Sequence, residues 1–252
     1  SENINPGSSH QRAERVAGAT DPIPDLGNAS GGRIVRTAVV FVGGPLAPTS
    51  THGAHPGLAG LSADRVVAAD SGLHLADAHG WDVDLVVGDM DSVDPERLRR
   101  AAADGVVVDR RPVDKDATDL ELALDVLLAD DVRHTVVIAT DGGRTDHLFA
   151  VVLGCCSERF APLGLRLWLD STLVVPVRGL VRVEGRPGAV LSILAVHGPA
   201  VVTTQGLRWP LHSERLDAGS TRGVSNELVG TAASIEVTDG CVAVLMPEEG
   251  LQ

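Results

Sequence analysis

Asp84-Leu85-Val86-Val87-Gly88-Asp89-Met90-Asp91-Ser92 is the stretch whose reading decides the fold. A short apolar run bounded by turn formers reads as a buried strand. At its carboxyl end Gly88 frees the backbone, and Asp89 and Asp91 follow at i and i+2. In extended chain that spacing puts both carboxylates on one side. Open α/β sheets bind their ligands beyond the carboxyl ends of the strands. Two carboxylates converging there are costly unless a cation neutralises them, and hard oxygen ligands suit Mg²⁺. An isolated Asp-x-Asp is more often a solvated acidic turn, so the neighbouring segments decide between the two.

Those segments repeat the strand-then-polar-turn pattern. Thr37–Val42 is a first buried strand running into Gly43-Gly44-Pro45, where paired glycines let backbone N–H groups approach a phosphate. No Walker-type Gly-x-x-x-x-Gly-Lys-Ser/Thr follows. The Pro45–Gly57 loop reads as a surface excursion, with His52 and His55 as solvated loop histidines. Arg65–Ala69 is a second strand ending in Asp70-Ser71-Gly72, and a helix then runs to Gly80. Asp70 either caps that helix or accepts from a ribose hydroxyl. After the opening stretch, Asp94-Pro95 starts a helix that closes at Gly105, and Val106–Val108 is a fourth strand.

Thr118 and Glu121 form a capping box, and Leu120, Ala123, Leu124, Leu127 and Leu128 share one helical face. That leaves Asp114, Lys115, Asp116 and Asp119 clustered at a helix start, a pattern that fits a metal-bound polyphosphate. Thr135–Ala139 is a fifth strand, leading into Gly142-Gly143-Arg144-Thr145-Asp146-His147, a phosphate-recognition pattern in which Asp146 is alternatively only a helix cap. Leu165–Leu169 alternates as an edge strand does. Beyond Leu180 helical periodicity stops. Short strands recur at Leu180–Glu184, Val190–Ala195, Val201–Thr203, Ile235–Thr238 and Cys241–Met246.

The predicted architecture is an α/β, Rossmann-like parallel-sheet catalytic domain over residues 34–177, followed by a smaller all-β sandwich over 178–252. Residues 1–33, rich in Gly, Ser, Pro and Asn, read as a flexible tail. The chain has 252 residues and a net charge of −13, which argues against nucleic acid or an anionic membrane as partner. Three cysteines make no disulfide framework, no run reaches membrane-spanning length and no signal peptide opens the chain; the expected compartment is the cytoplasm.

Taken in order, Asp70-Ser71-Gly72, Gly88–Ser92, Lys115–Leu124, Gly142–His147, Gly206-Leu207-Arg208-Trp209-Pro210-Leu211 and Ser225-Asn226-Glu227 resemble the motifs of thiamine pyrophosphokinases over roughly Thr37 to Met246. The resemblance implies a homodimer with its sites between subunits, and transfer of diphosphate from ATP to the thiamine hydroxyl, releasing AMP. It implies Mg²⁺ held by Asp89, Asp91 and Asp119, with Asp116 either in the outer shell or accepting the hydroxyl proton. ATP would be met by Gly43, Gly44, Asp70, Ser71, Gly72, Lys115, Thr118, Arg144, Asp146 and His147. Thiamine would be met by Trp209, Ser225 and Asn226. Gly223 departs from family members that carry Ser there, and the Pro45–Gly57 loop is atypical.

Three rival readings compete. Asp89-Met90-Asp91-Ser92-Val93 also satisfies the Asp-x-Asp-x-Thr/Val pattern of haloacid-dehalogenase-like phosphatases, with Asp89 as nucleophile, although that family places it on the first strand. A sister pyrophosphokinase acting on a pterin alcohol is the closest chemical alternative. A regulator that binds thiamine or nucleotide without turnover is the third.

Overall fold

The computed structural model describes residues 36–43, 55–112, 116–140 and 144–251; the expected tail, Gly44, most of the Pro45–Gly57 loop, Lys115, Gly142 and Gly143 lie outside them. The first half alternates strand and helix. Its elements are β1 (Thr37–Val42), β2 (Arg65–Ala69), α1 (Gly72–Ala78), β3 (Leu85–Gly88), α2 (Pro95–Ala103), β4 (Val107–Arg110), α3 (Asp119–Ala129), β5 (His134–Ala139), α4 (Thr145–Cys155) and β6 (Leu165–Leu169). All six strands pair in parallel, in the order β6-β5-β1-β2-β3-β4. The sequence turns away from β1 towards β2 on one side and returns to β5 on the other. That reversal opens a crevice at the carboxyl ends of the strands.

The second half is antiparallel: β7 (Thr172–Val177), β8 (Leu180–Glu184), β9 (Val190–Ala195), β10 (Ala200–Gln205), β11 (Glu214–Leu216), β12 (Asn226–Glu227), β13 (Ala232–Asp239) and β14 (Val242–Pro247). Four of these strands make a separate sheet, β11-β10-β13-β8. The other four extend the first sheet beyond β6 as β7-β14-β9-β12, so that one ten-stranded sheet runs through both halves of the chain. The fold class is therefore α/β with a large, mostly parallel sheet and a smaller antiparallel one.

Each face of the large sheet buries a different set of residues. Leu120, Ala123, Leu124 and Leu127 of α3 pack with Val40, Val67 and Val137 on one face. On the other, Leu73 and Ala76 of α1 pack with Val39, Phe41 and Ile138, and the same apolar layer continues between the two β-sheets through Val183, Ile193 and Ile235. Leu128, expected on the buried helical face, is only half-buried.

Two expectations need correction, and one strand was not expected. Leu165–Leu169 is not an edge strand: it lies between β5 and β7. Its alternation records one face covered less than the other, which is independent of whether a strand has neighbours on both sides. β7 escaped the reading because Pro176 interrupts it. The proline is tolerated because β6 pairs only as far as Val174, which leaves one side of β7 open at Pro176. His55 is not a solvated loop residue. Its Nδ1 accepts from the Gly57 N–H at 3.1 Å, and its ring stands edge-on to Trp168 and His79 at 5.6 and 5.3 Å. Burial, reinforced by His79, lowers its pKa to about 4.

The crevice is shaped by one close approach. A Cβ on Gly72 would lie 2.0 Å from the Phe41 carbonyl oxygen, and one on Gly43 would lie 2.0 Å from the Ser71 Oγ. The end of β1 and the turn into α1 therefore touch backbone to backbone, which only glycine permits. Gly72→Ala is expected to cost about 2 kcal/mol or more through overpacking, read as a lowered midpoint in thermal or urea unfolding.

Candidate active site

The crevice is a cleft of about 570 Å³ at the carboxyl ends of β1, β2 and β5. Val42, Gly43, Asp70 and Thr140 form its floor at the strand ends, and α1, α3 and α4 supply the walls. Asp70, Ser71, His74, Ser92, Thr118, Asp119, Arg144 and His147 make it polar on several sides; Leu120, Ala150 and Val151 make one side apolar. A volume of this size, with an apolar wall and a few convergent polar groups, suits a small-molecule ligand.

Its electrostatic centre is a group of three carboxylates. Asp70, Asp89 and Asp119 each bring an oxygen within 4.8 Å of the others. Irregular backbone makes this possible. Asp70 takes a left-handed φ of 46°, Gly88 a φ of 150°. A Cβ at Gly88 would sit 2.9 Å from Asp119 Oδ1 and 3.2 Å from Asp70 Cβ, so the carboxylates meet in the space that glycine leaves. Asp119 is the first residue of α3, fixed there by the expected capping box: Thr118 Oγ1 accepts from the Glu121 N–H while the Glu121 carboxylate accepts from the Thr118 N–H.

Asp70 is only 8% exposed, and its Oδ1 has no hydrogen-bond partner among the described residues. Burial raises its pKa; the Ser71 N–H opposes the rise, and the charges of Asp119, Asp91 and Asp89 add to it. A buried carboxylate with an unmatched oxygen, facing two further carboxylates, is an all-oxygen donor set suited to a hard divalent cation. Mg²⁺ therefore fits the residues present. Asp70 does not cap α1, where Ser71 holds the cap position without a side-chain bond.

Asp91 stays outside the group. Met90 adopts a φ of 67° and buries its own side chain. The chain is thus not extended between the two aspartates, and the i, i+2 argument for a shared side fails. Asp91 is exposed; its N–H donates to Asp89 Oδ1 at 3.2 Å and its Oδ1 accepts from Ser92 Oγ at 2.7 Å. Asp116 is exposed on the turn before α3 and does not line the cleft. Arg144 and His147 line it, whereas Asp146 does not. Arg144 binds Asp146 at 2.6 Å, which raises the pKa of the one and lowers that of the other.

Trp209, Ser225 and Asn226 lie on the β-rich half, apart from the cleft lining. Trp209 is 44% exposed, with the Arg208 guanidinium over its ring at 4.9 Å. Asn226 is buried, and its amide is committed to Trp209: Oδ1 accepts from the Trp209 N–H at 3.1 Å and Nδ2 donates to the Trp209 carbonyl at 2.7 Å. Ser225 is exposed with a left-handed φ of 56°. At Gly223 a Cβ would lie 2.3 Å from the Ile193 carbonyl, so no side chain fits without a backbone shift.

His74 and Thr140 line the cleft although no sequence signal singled them out, and Ser92, the last residue of the Gly88–Ser92 motif, lines it as well. Thr140 directly follows β5, so strand-end position was the signal available for it; His74 lies within α1, four residues after Asp70.

Comparison with known proteins bears on the family and the fold. A family model described as the thiamin pyrophosphokinase catalytic domain matches residues 61–161, and one described as the thiamin pyrophosphokinase vitamin B1 binding domain matches residues 180–242, together well over half the chain. A thiamine pyrophosphokinase of Bacillus subtilis is 23% identical over 219 residues, 84% of this chain and 98% of the relative. Its crystal structure superposes with a TM-score of 0.70, covering 84% of this chain and 99% of that one. Yeast thiamin pyrophosphokinase, 14% identical, gives 0.66 over 85% and 87% of the two chains. At these identities the structural likenesses show the fold.

The crowded carboxylates should cost stability when no cation is present. A raised acid pKa means that the folded chain binds more protons than the unfolded one; stability is lost as pH rises from Asp70's ordinary value of 3.8 through its higher folded value. Asp70→Asn is therefore expected to stabilise the metal-free protein at neutral pH by about 0.5–2 kcal/mol. Its advantage over the parent chain should shrink as the pH falls into the ordinary carboxylate range. The same variant should abolish the rise in melting temperature that Mg²⁺ gives the parent chain. Thermal melts across pH, with and without Mg²⁺, check all three.

Proposed function

The chain belongs to the thiamin pyrophosphokinase family, and on that premise we propose that it moves the terminal diphosphate of Mg²⁺-bound ATP onto the hydroxyl of thiamine. The observation that carries the reading is the convergence of Asp70, Asp89 and Asp119 beside a cleft at the reversal point of the parallel sheet. The match of residues 180–242 to a vitamin B1 binding domain favours thiamine over a pterin alcohol. The phosphatase reading fails on position: Asp89 follows the third strand of the sheet, not the first.

In this proposal the thiamine oxygen attacks the β-phosphorus, the bond to the α–β bridging oxygen breaks, and AMP departs with that oxygen. Little covalent chemistry falls to the protein, so positioning and electrostatics carry the catalysis. Asp70, Asp89 and Asp119 would hold Mg²⁺, which when bound supplies positive charge to the phosphoryl oxygens. Asp91, at the exposed rim, joins them as an outer ligand. The Gly43 turn, Ser71, Gly72, Thr118 and His147 flank the nucleotide, and Lys115 and Arg144 balance phosphate charge. Asp116, exposed on the turn before α3 and outside the cleft lining, either completes the outer shell of the metal or takes the hydroxyl proton.

Trp209 serves thiamine. The indole is 44% exposed, and its face opposite Arg208 is the one we assign to the charged thiazolium ring. Because Trp209 lies apart from the cleft lining, we place it against the cleft of a second copy, in a two-fold homodimer. Three buried, unbridged thiols suit a reducing, cytoplasmic setting. Among the described residues no helix is long and apolar enough to cross a membrane.

Incubation with Mg²⁺-ATP should yield AMP and thiamine diphosphate in equal amounts, and only when thiamine is present. Nucleotide chromatography decides the matter, and ADP with thiamine monophosphate instead would refute diphosphate transfer. Trp209→Ala is expected to raise the KM for thiamine about tenfold, the equivalent of one desolvated cation–π contact, with little change for ATP. A variant that unfolds, or that weakens both substrates alike, would make Trp209 a packing residue.

A further inference from the structure

We infer that His74 is a nucleotide-contacting residue of the cleft, donating its Nδ1–H to a phosphate oxygen of ATP. His74 occupies the third position of α1 and lines the cleft on the Asp70 side. The backbone N–H of Asp94 donates to its Nε2 at 3.2 Å. A nitrogen that accepts from an N–H carries no proton, so the neutral ring keeps its proton on Nδ1. Among the described residues Nδ1 has no hydrogen-bond partner, and the half-buried His74 side chain belongs to the cleft lining.

The ring is also held against reorientation. Asp94 caps α2 through its own carboxylate, which accepts from the N–H groups of Glu96 and Arg97 at 3.1 and 3.3 Å. Arg97 reaches back to α1 and binds both oxygens of Asp77 at 2.6 Å. Two clamps thus join α1 to the start of α2, and the His74 ring is one of them. Of the hydroxyls that line the cleft, Ser92 Oγ donates to Asp91 and Thr118 Oγ1 to Glu121, while Thr140 Oγ1 has no partner among the described residues. A preoriented N–H four residues from Asp70 suits an anionic oxygen that approaches together with the cation held by Asp70, Asp89 and Asp119. In a nucleoside triphosphate that oxygen belongs to phosphate.

This inference rests on the proposed ATP site, and binding measured without thiamine tests it separately from the reaction. Two substitutions divide the ring's two bonds. His74→Gln offers an acceptor near the Nε2 position and removes the Nδ1–H donor. His74→Asn offers a donor near the Nδ1 position and removes the acceptor. Calorimetric titrations with Mg²⁺-ATP and with adenosine are expected to show Mg²⁺-ATP binding weakened about tenfold or more by His74→Gln, the scale of one hydrogen bond to a charged group. His74→Asn should restore it, and adenosine should bind the parent chain and both variants alike. The inference is overturned if His74→Gln binds Mg²⁺-ATP as the parent chain does. It is equally overturned if only His74→Asn loses affinity, which would leave the ring as a clamp on Asp94, or if adenosine weakens in step with ATP. A parent chain that makes no AMP from ATP and thiamine would instead refute the diphosphate-transfer reading, with the binding comparison still standing.

Discussion

Like charges held within 4.8 Å of one another are the constraint on which the rest of this structure depends. Asp70, Asp89 and Asp119 come from three separate segments, and their mutual repulsion adds to the burial that raises the pKa of Asp70. The chain brings them together through positions where regular backbone is abandoned: left-handed Asp70, the unusual φ of Gly88, and left-handed Met90. Gly88 contributes by what it lacks, since the space of a methyl group there is filled by the Asp119 carboxylate. Met90 contributes differently, by burying its side chain and turning Asp91 outward. Local strain of this kind persists only where the surroundings over-determine it.

The surroundings do so through the parallel sheet and its helices. Each strand that ends at the cleft is buried on both faces, as strands covered by crossover helices are. Backbone contact between Gly72 and the end of β1 sets the depth of the cleft, and the capping box holds Asp119 at the start of α3. The clamps between α1 and α2 hold the far end of the loop that carries Asp89. Positions are thus fixed from several directions before any ligand arrives, which is the preorganisation that a phosphoryl-transfer site requires.

The β-rich half is joined to this frame by an unbroken ladder. β7 follows β6 in the same sheet, and β14, β9 and β12 continue it. The strand that ends this ladder, β12, contains Asn226, whose amide grips the backbone of Trp209 on both sides. Trp209 is thereby displayed rather than packed, while Trp168 is buried beneath Gly57 and His55. Two tryptophans with similar intrinsic preference for burial have opposite environments because of what their neighbours bond to.

The sequence alone determined the alternation of buried strands and capped helices, because apolar periodicity and caps are local properties of the chain. Asp94-Pro95, the Thr118–Glu121 box and the strands at Leu180–Glu184 and Val190–Ala195 lie where their residues place them. Motif order likewise pointed to the thiamin pyrophosphokinase family, since the signal lies in the succession of short segments. What only the tertiary structure decided was which carboxylates meet. The i, i+2 rule grouped Asp89 with Asp91, but the backbone at Met90 separates them, and Asp70 enters from another strand. Edge or centre for Leu165–Leu169, the strand around Pro176, and the buried setting of His55 were decided in the same way. Each depends on groups distant in sequence, and neither side-chain pattern nor local propensity carries information about a neighbour that the fold has yet to supply.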